Sequence, residues 1–78
     1  MCFKAMIDIT VTFPTAECRE RVENFLRFVG TGEYGVPSDT QIRVKIKSHK
    51  LGLFADMCKM QMSPQEIDAT TIEETILE

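Results

Sequence analysis

Three cysteines and one histidine have the clearest capacity for chemistry in this sequence: Cys2, Cys18, Cys58 and His49. Three cysteines and one histidine are the ligands of a Cys₃His zinc site. Zinc sites built on loops usually take their ligands in close pairs such as C-x-x-C, whereas these four residues lie far apart in the chain. Cys18 also falls on the apolar stripe of a predicted helix. We therefore expect free thiols and no metal.

Catalysis by a cysteine–histidine pair would combine His49 with Cys58 or Cys2. No neighbouring residue marks a stabilised thiolate, and a buried cysteine is usually a small inert hydrophobe. The glycines at 30, 32 and 35 follow a predicted helix and not a strand, so they do not form a phosphate-binding loop. We expect neither an enzyme nor a bound cofactor.

Charge is segregated along the chain. Residues 40–62 carry five basic residues against one acidic residue, although the whole chain has a net charge of −3. The basic candidates for partner binding are Arg43, Lys45, Lys47 and Lys50. Three interpretations stay open: a solvated strand face, a surface that docks on an acidic protein, and a site for a phosphate backbone. The outer strand faces offer no aromatic side chain on which bases could stack.

Residues 63–78 carry five acidic residues and no basic one. The acidic candidates are Glu66, Asp68, Glu73 and Glu74, on a predicted tail helix. They form either a solvated face or a surface that engages a basic patch, for example by imitating phosphates. Tyr34, the only tyrosine, lies in a predicted loop. It either folds back over the edge of the core or stands exposed as an anchor for a partner.

The longest periodic signal predicts a strand over residues 2–13, because the odd positions from Phe3 to Phe13 are apolar and the even ones mostly polar. Pro14 ends this strand. An apolar stripe with helical spacing predicts a helix over 15–29, capped by Thr15 or Thr12. Gly30 is expected to stop this helix. Alternation in TQIRVKIK predicts a second strand over 40–47.

The remaining segments carry weaker signals. Residues 30–39 hold three glycines and a proline and are predicted to be a loop. Residues 51–62 fit a helix or a strand, and we favour a strand that closes a hairpin with 40–47. Ser63, Pro64 and Glu66 predict a capping box that opens a last helix. From Thr71 onward this helix could fray or turn into a strand, since threonine is a poor helix former.

Together these elements predict one α+β domain over residues 1–78, a small twisted sheet of order β-α-β-β-α with two helices packed on one face. The third strand is the uncertain one. No apolar run approaches the roughly 20 residues that span a bilayer, so we expect no membrane partner and a cytoplasmic location.

By elimination, we expect a non-enzymatic protein–protein interaction module that inhibits or regulates a larger assembly. Phage-encoded inhibitors of host machinery are often small and acidic in this way. The alternative function is nucleic-acid binding through residues 43–50, which four cations would make weak and salt-sensitive. A homodimer through an exposed edge strand is a further alternative.

Overall fold

The computed structural model describes residues 6–29 and 34–77. The elements of these ranges are β1 (Met6–Thr12), α1 (Ala16–Val29), β2 (Tyr34–Ser38), β3 (Gln41–Lys47), α2 (Leu51–Lys59), α3 (Pro64–Ala69) and β4 (Thr71–Leu77). A single 3₁₀ turn, Ser48–Lys50, leads from β3 into α2. Residues 2–5 of the predicted first strand, and Gly30, lie outside the described residues.

The four strands form one sheet in the order β2-β3-β1-β4, and every neighbouring pair is antiparallel. Helix α1 connects β1 to β2, whereas α2 and α3 together connect β3 to β4. With α2 and α3 counted as one helical connection, this is the β-α-β-β-α-β order of the ferredoxin-like fold. The α+β class predicted from the sequence is confirmed.

The core lies between the sheet and the helices. In β1 the odd positions Ile7, Ile9 and Val11 are buried, as the alternation predicts. Their cross-strand partners in β3 are Ile46, Val44 and Ile42, which are buried as well. The helices complete this cluster with Cys18, Val22, Leu26, Phe54 and Cys58. Within residues 6–29 and 34–77, burying one face of the sheet in this way leaves the other face without a covering layer of helices.

Helix α1 forms as its sequence predicts. Cys18, Val22 and Leu26, from its apolar stripe, are at most 1% exposed. Of the two threonines considered as caps, Thr15 accepts a hydrogen bond at its Oγ1 from the backbone N–H of Cys18 (3.1 Å). This bond satisfies one of the amide groups that the first turn of a helix leaves without an intrahelical partner.

The prediction of a loop over residues 30–39 is wrong for its second half. Residues 34–38 form the edge strand β2, in which Tyr34 pairs with Val44 and Gly35 with Arg43. The pairing shifts in register between Gly35 and Ser38. The glycines and the proline led to the loop prediction, because β2 has no alternation of apolar and polar residues. The strand forms because the regular edge of β3 offers backbone groups with which it can pair.

The prediction that residues 51–62 form a strand is also wrong. Residues 51–59 form α2, and β3 pairs with β1 and β2 instead of closing a hairpin with this segment. Phe54 and Cys58, four residues apart, are its buried side chains. The alternation of Cys58, Met60 and Met62 misled the assignment, since Met60 is 73% exposed.

The predicted capping box at Ser63 is present. The Oγ of Ser63 accepts from the backbone N–H of Glu66 (3.2 Å), and a carboxylate oxygen of Glu66 accepts from the backbone N–H of Ser63 (2.9 Å). Helix α3 nevertheless ends at Ala69, and residues 71–77 form β4. The acidic tail helix is therefore a short helix followed by a strand, and the sheet gains an element missing from the predicted order.

Candidate functional site

The open face of the sheet, opposite the helices, carries the basic stripe. The register sets Arg43 beside Thr10, Lys45 beside Asp8 and Lys47 beside Met6. All three basic residues are exposed, so the structure places them on one face as their alternation indicates. Whether they bind a partner stays a prediction.

Arg43 is not a free cation on this face. Its Nε donates to both carboxylate oxygens of Asp8 (2.9 and 3.0 Å), and its Nη2 also contacts this carboxylate. Asp8 is only 7% exposed. The hydrogen bonds from Arg43 lower the pKa of Asp8, and Lys45 adds to this effect. Arg43 is therefore neutralised by Asp8, whereas Lys45 and Lys47 form no ion pair with another described residue.

Lys50 lies away from the stripe. It ends the 3₁₀ turn after β3 and borders a depression formed with Ile46, Leu53, Phe54 and Met57. Because these neighbours belong to the helical layer and the core, Lys50 is at the end of the sheet and not on its open face. The four basic candidates therefore do not form one continuous patch.

Tyr34 is fixed to α1 by its hydroxyl group. The hydroxyl donates to Oε2 of Glu23 (3.0 Å) and accepts from Nε of Arg27 (2.8 Å). Arg27 Nη2 also donates to the same Glu23 oxygen (2.9 Å), and Arg19 contacts the other oxygen. Tyr34 therefore has a structural role that joins the edge strand β2 to the helix, as expected from a side chain folded over the core edge.

Glu66 is likewise part of the fold. Besides capping α3, its carboxylate accepts from Nη1 of Arg21 at 2.9 Å, and the same guanidinium atom donates to the carbonyl of Gln61 (2.8 Å). The bonds from Arg21, with that from the backbone of Ser63, lower the pKa of Glu66 to about 2. Of the two acidic candidates on α3, Asp68 is exposed and Glu66 is half-buried.

Glu73 and Glu74 lie on opposite faces of β4. Glu73 pairs with Thr10 on the open face, whereas Glu74 pairs with Ile9 on the helical face. Residues 71–75 are all exposed. Strand β4 is hydrogen-bonded to β1 on one side and has no neighbouring strand on the other within the described chain.

An apolar groove runs beside β4 on the helical face. It has a volume of about 130 Å³. Its lining includes Val11, Phe54, Cys58, Lys59, Met62, Ile67 and Ile72. Ile72 of β4 is 46% exposed. Sequence reasoning missed this surface because it favoured a helix from Ser63 onward and named a strand from Thr71 only as an alternative, so it did not place Ile72 on the helical face of the sheet.

The thiols of the described chain are buried. Cys18 is fully buried, and Cys58 is 5% exposed. Burial raises the pKa of both thiols, that of Cys58 to about 12. Among residues 6–29 and 34–77 no group of three acidic, cysteine or histidine side chains is placed to hold a metal ion. In the same ranges, the helices are too short or too polar to cross a membrane.

Comparison with known proteins gives no functional lead: no family model matches the chain, and neither a curated protein nor a solved structure is significantly similar to it. The ferredoxin-like order of elements does not supply one either, because a common fold carries many unrelated functions. The surfaces of this fold are therefore the basis for a functional proposal.

Proposed function

We propose that the protein is a non-enzymatic protein-interaction module that inhibits or regulates a larger assembly by occupying part of its surface. The observation that supports this most directly is the uncovered side of the sheet. The helices bury one face, whereas no other element of the described chain covers the open face or the edge at β4. Surfaces of this kind suit recognition of a protein, and the buried thiols are poorly suited to nucleophilic chemistry.

The internal polar contacts support the same proposal. Tyr34, Glu23 and Arg27 are joined to one another, and Glu66 is joined to Arg21. These contacts hold elements together: Tyr34 joins β2 to α1, and Glu66 joins α3 to α1. The charged candidates that form no ion pair within the described residues are Lys45, Lys47, Lys50, Asp68 and the two glutamates of β4.

Nucleic-acid binding is the second candidate function, and the basic strand β3 is what favours it. Three features of the open face weaken it. Asp8 pairs with Arg43, Glu73 shares the face, and the face presents no aromatic ring among its described residues. Two lysines alone give weak binding that falls with salt, since each phosphate contact releases about one counterion.

Affinity capture from a lysate of the organism that encodes the chain distinguishes these candidates. Tagged protein is used with and without nuclease, at low and high salt, beside the matched variant K45E/K47E. A stoichiometric protein that survives nuclease supports the proposed function. If only nucleic acid is retained, and both salt and K45E/K47E release it, the second candidate replaces it.

Self-association is measured in parallel by sedimentation equilibrium. A homodimer without any other retained protein would give the chain a structural role, in which strands pair across copies. A monomer that retains a foreign protein would support a regulator that acts on another assembly.

A further inference from the structure

We propose that β4 is the docking edge, and that its partner is an extended protein segment with two adjacent basic residues followed by an apolar one, added antiparallel to β4 as a fifth strand. Three neighbouring features support this proposal. The outer edge of β4 is unpaired within the described chain, its two faces each carry one glutamate, and an apolar groove lies beside it. The inference rests on the proposed function and specifies its surface and the chemistry of the partner.

The two edges of the sheet differ in their ability to accept a strand. Strand β2 contains Pro37, which has no amide hydrogen to donate, and its pairing is shifted between Gly35 and Ser38. Prolines and bulges of this kind protect an edge from further pairing. Strand β4 has neither: all seven residues pair with β1 in unbroken register. About half of its backbone groups therefore point outward and are available to another strand.

The side chains of β4 define what this strand would carry. A residue opposite Glu73 would lie on the open face, and its neighbour opposite Glu74 on the helical face. In an antiparallel segment, the residue opposite Glu74 comes first, then the one opposite Glu73, then the one opposite Ile72. Opposite charges across a strand pair are favourable, so the first two positions are basic. The third is apolar, because it lies beside Ile72 and the groove.

Cations elsewhere on the surface do not cancel this preference. Arg43 is two strands away from β4 and already pairs with Asp8. Two strand spacings are about 10 Å, which is comparable with the screening length at physiological ionic strength. Lys59 lines the far side of the groove, on α2. It disfavours a third basic residue at the apolar position of the segment.

A second copy of the chain is a poorer occupant of this edge. Two β4 strands paired antiparallel about their midpoint would set Glu74 opposite Glu74. A slip by two residues would set Glu73 opposite Glu73 instead. Like charges directly opposite each other are destabilising. The same two residues that favour a basic segment therefore oppose self-pairing.

The test uses the whole protein, labelled with ¹⁵N, and a heptapeptide Thr-Val-Thr-Lys-Lys-Val-Thr. We expect amide shifts concentrated in residues 71–77 and in the groove. Exchanging both lysines of the peptide for glutamate should weaken binding about tenfold or more, because two cross-strand pairs change from attractive to repulsive. The protein variant E73K/E74K should reverse this order of preference between the two peptides.

N-methylated peptides test whether the backbone takes part. Alternate amide groups of a strand point to the same side, so methylation of one alternate set should abolish binding and methylation of the other should not. Equal effects of the two sets would overturn strand addition. Shifts centred on Lys45 and Lys47, equal binding of the lysine and glutamate peptides, or dimerisation through β4 would also overturn the inference.

Lysate capture separates the failure of this inference from the failure of the proposed function. If E73K/E74K retains the same protein as the wild type, the assignment of β4 is wrong and the proposed function stands. If the wild type retains no protein, the proposed function fails. Because both glutamates are exposed, we expect the variant to fold, and its circular dichroism spectrum checks this.

Discussion

Removing the hydroxyl of Tyr34 distinguishes its structural role from a role as an anchor for a partner. The variant Y34F keeps the ring and loses two hydrogen bonds, to Glu23 and to Arg27. If the hydroxyl ties β2 to α1, the variant is less stable without any partner present. If the side chain serves a partner instead, the isolated protein is unaffected and only binding declines.

The expected decrease in the free energy of unfolding follows from the exposure of the two side chains that are hydrogen-bonded to the Tyr34 hydroxyl. The side chain of Arg27 is 65% exposed, so water replaces that hydrogen bond at little cost. The side chain of Glu23 is 11% exposed, and hydrogen bonds to charged groups contribute about 1.5–3 kcal/mol. Because Arg27 still donates to the same Glu23 oxygen, no buried acceptor is orphaned. We therefore expect Y34F to lower the free energy of unfolding by about 1.5 kcal/mol, the lower end of that range.

In a domain of 60–100 residues, a loss of this size lowers the melting temperature by roughly 6–12 °C. The assay is urea unfolding followed by far-ultraviolet circular dichroism, because the chain has no tryptophan and Y34F removes its only tyrosine. In an E23Q background the same substitution should cost only about 0.5–1 kcal/mol, as expected for a neutral hydrogen bond.

Phe28→Ala is the matched control, since this aromatic side chain is 87% exposed. Its effect should stay within about 0.5 kcal/mol, as for an ordinary surface substitution. The structural role of Tyr34 is refuted if Y34F changes the free energy of unfolding no more than this control. Equal losses from Y34F with and without E23Q would show that the Glu23 bond is not the source of the effect.

Three further predictions concern the fold. The stability advantage of the wild type over E66Q should be full above pH 4.5 and vanish as the pH falls toward about 2, because Glu66 has its pKa lowered to about 2 in the folded state; urea midpoints across this range measure it. Phe54→Ala should cost about 3–5 kcal/mol, as for a buried aromatic residue, whereas Leu53→Ala, at a site 63% exposed, should cost far less; equal losses would contradict the packing of α2. In a Cys2→Ser variant the two remaining thiols should resist a thiol reagent at pH 8 until the protein is unfolded, since burial raises the pKa of both; a thiol titrating in the native protein would show that one is accessible.

Helices and strands could be predicted where the pattern of apolar and polar residues within one segment is enough to identify them. The alternation in β1 and β3 and the stripe of α1 each follow from the segment's own residues. The capping box at Ser63 depends on residues only three positions apart. Local patterns of this kind need no knowledge of the neighbouring elements.

The elements that could not be predicted are defined by their neighbours. Strand β2 contains Gly35 and Pro37, and it pairs because β3 offers an edge. Helix α2 has a short apolar run that fits two periods, and the burial of Phe54 against the sheet decides between them. Glu73 and Glu74 could be recognised as acidic candidates from the sequence. Their positions on opposite faces of an edge strand could not, because β4 had not been assigned.

The central position of β1 has a consequence for how the chain folds. Both of its neighbours follow it in sequence, and Met6 pairs with Leu77 at the far end of β4. Folds dominated by such distant pairings typically fold in milliseconds to seconds. During synthesis at about 5–20 residues per second, β1 waits roughly 3–14 s for β4 to emerge. For that interval a strand with Ile7, Ile9 and Val11 on one face has an unpaired edge, at which nascent chains can associate wrongly.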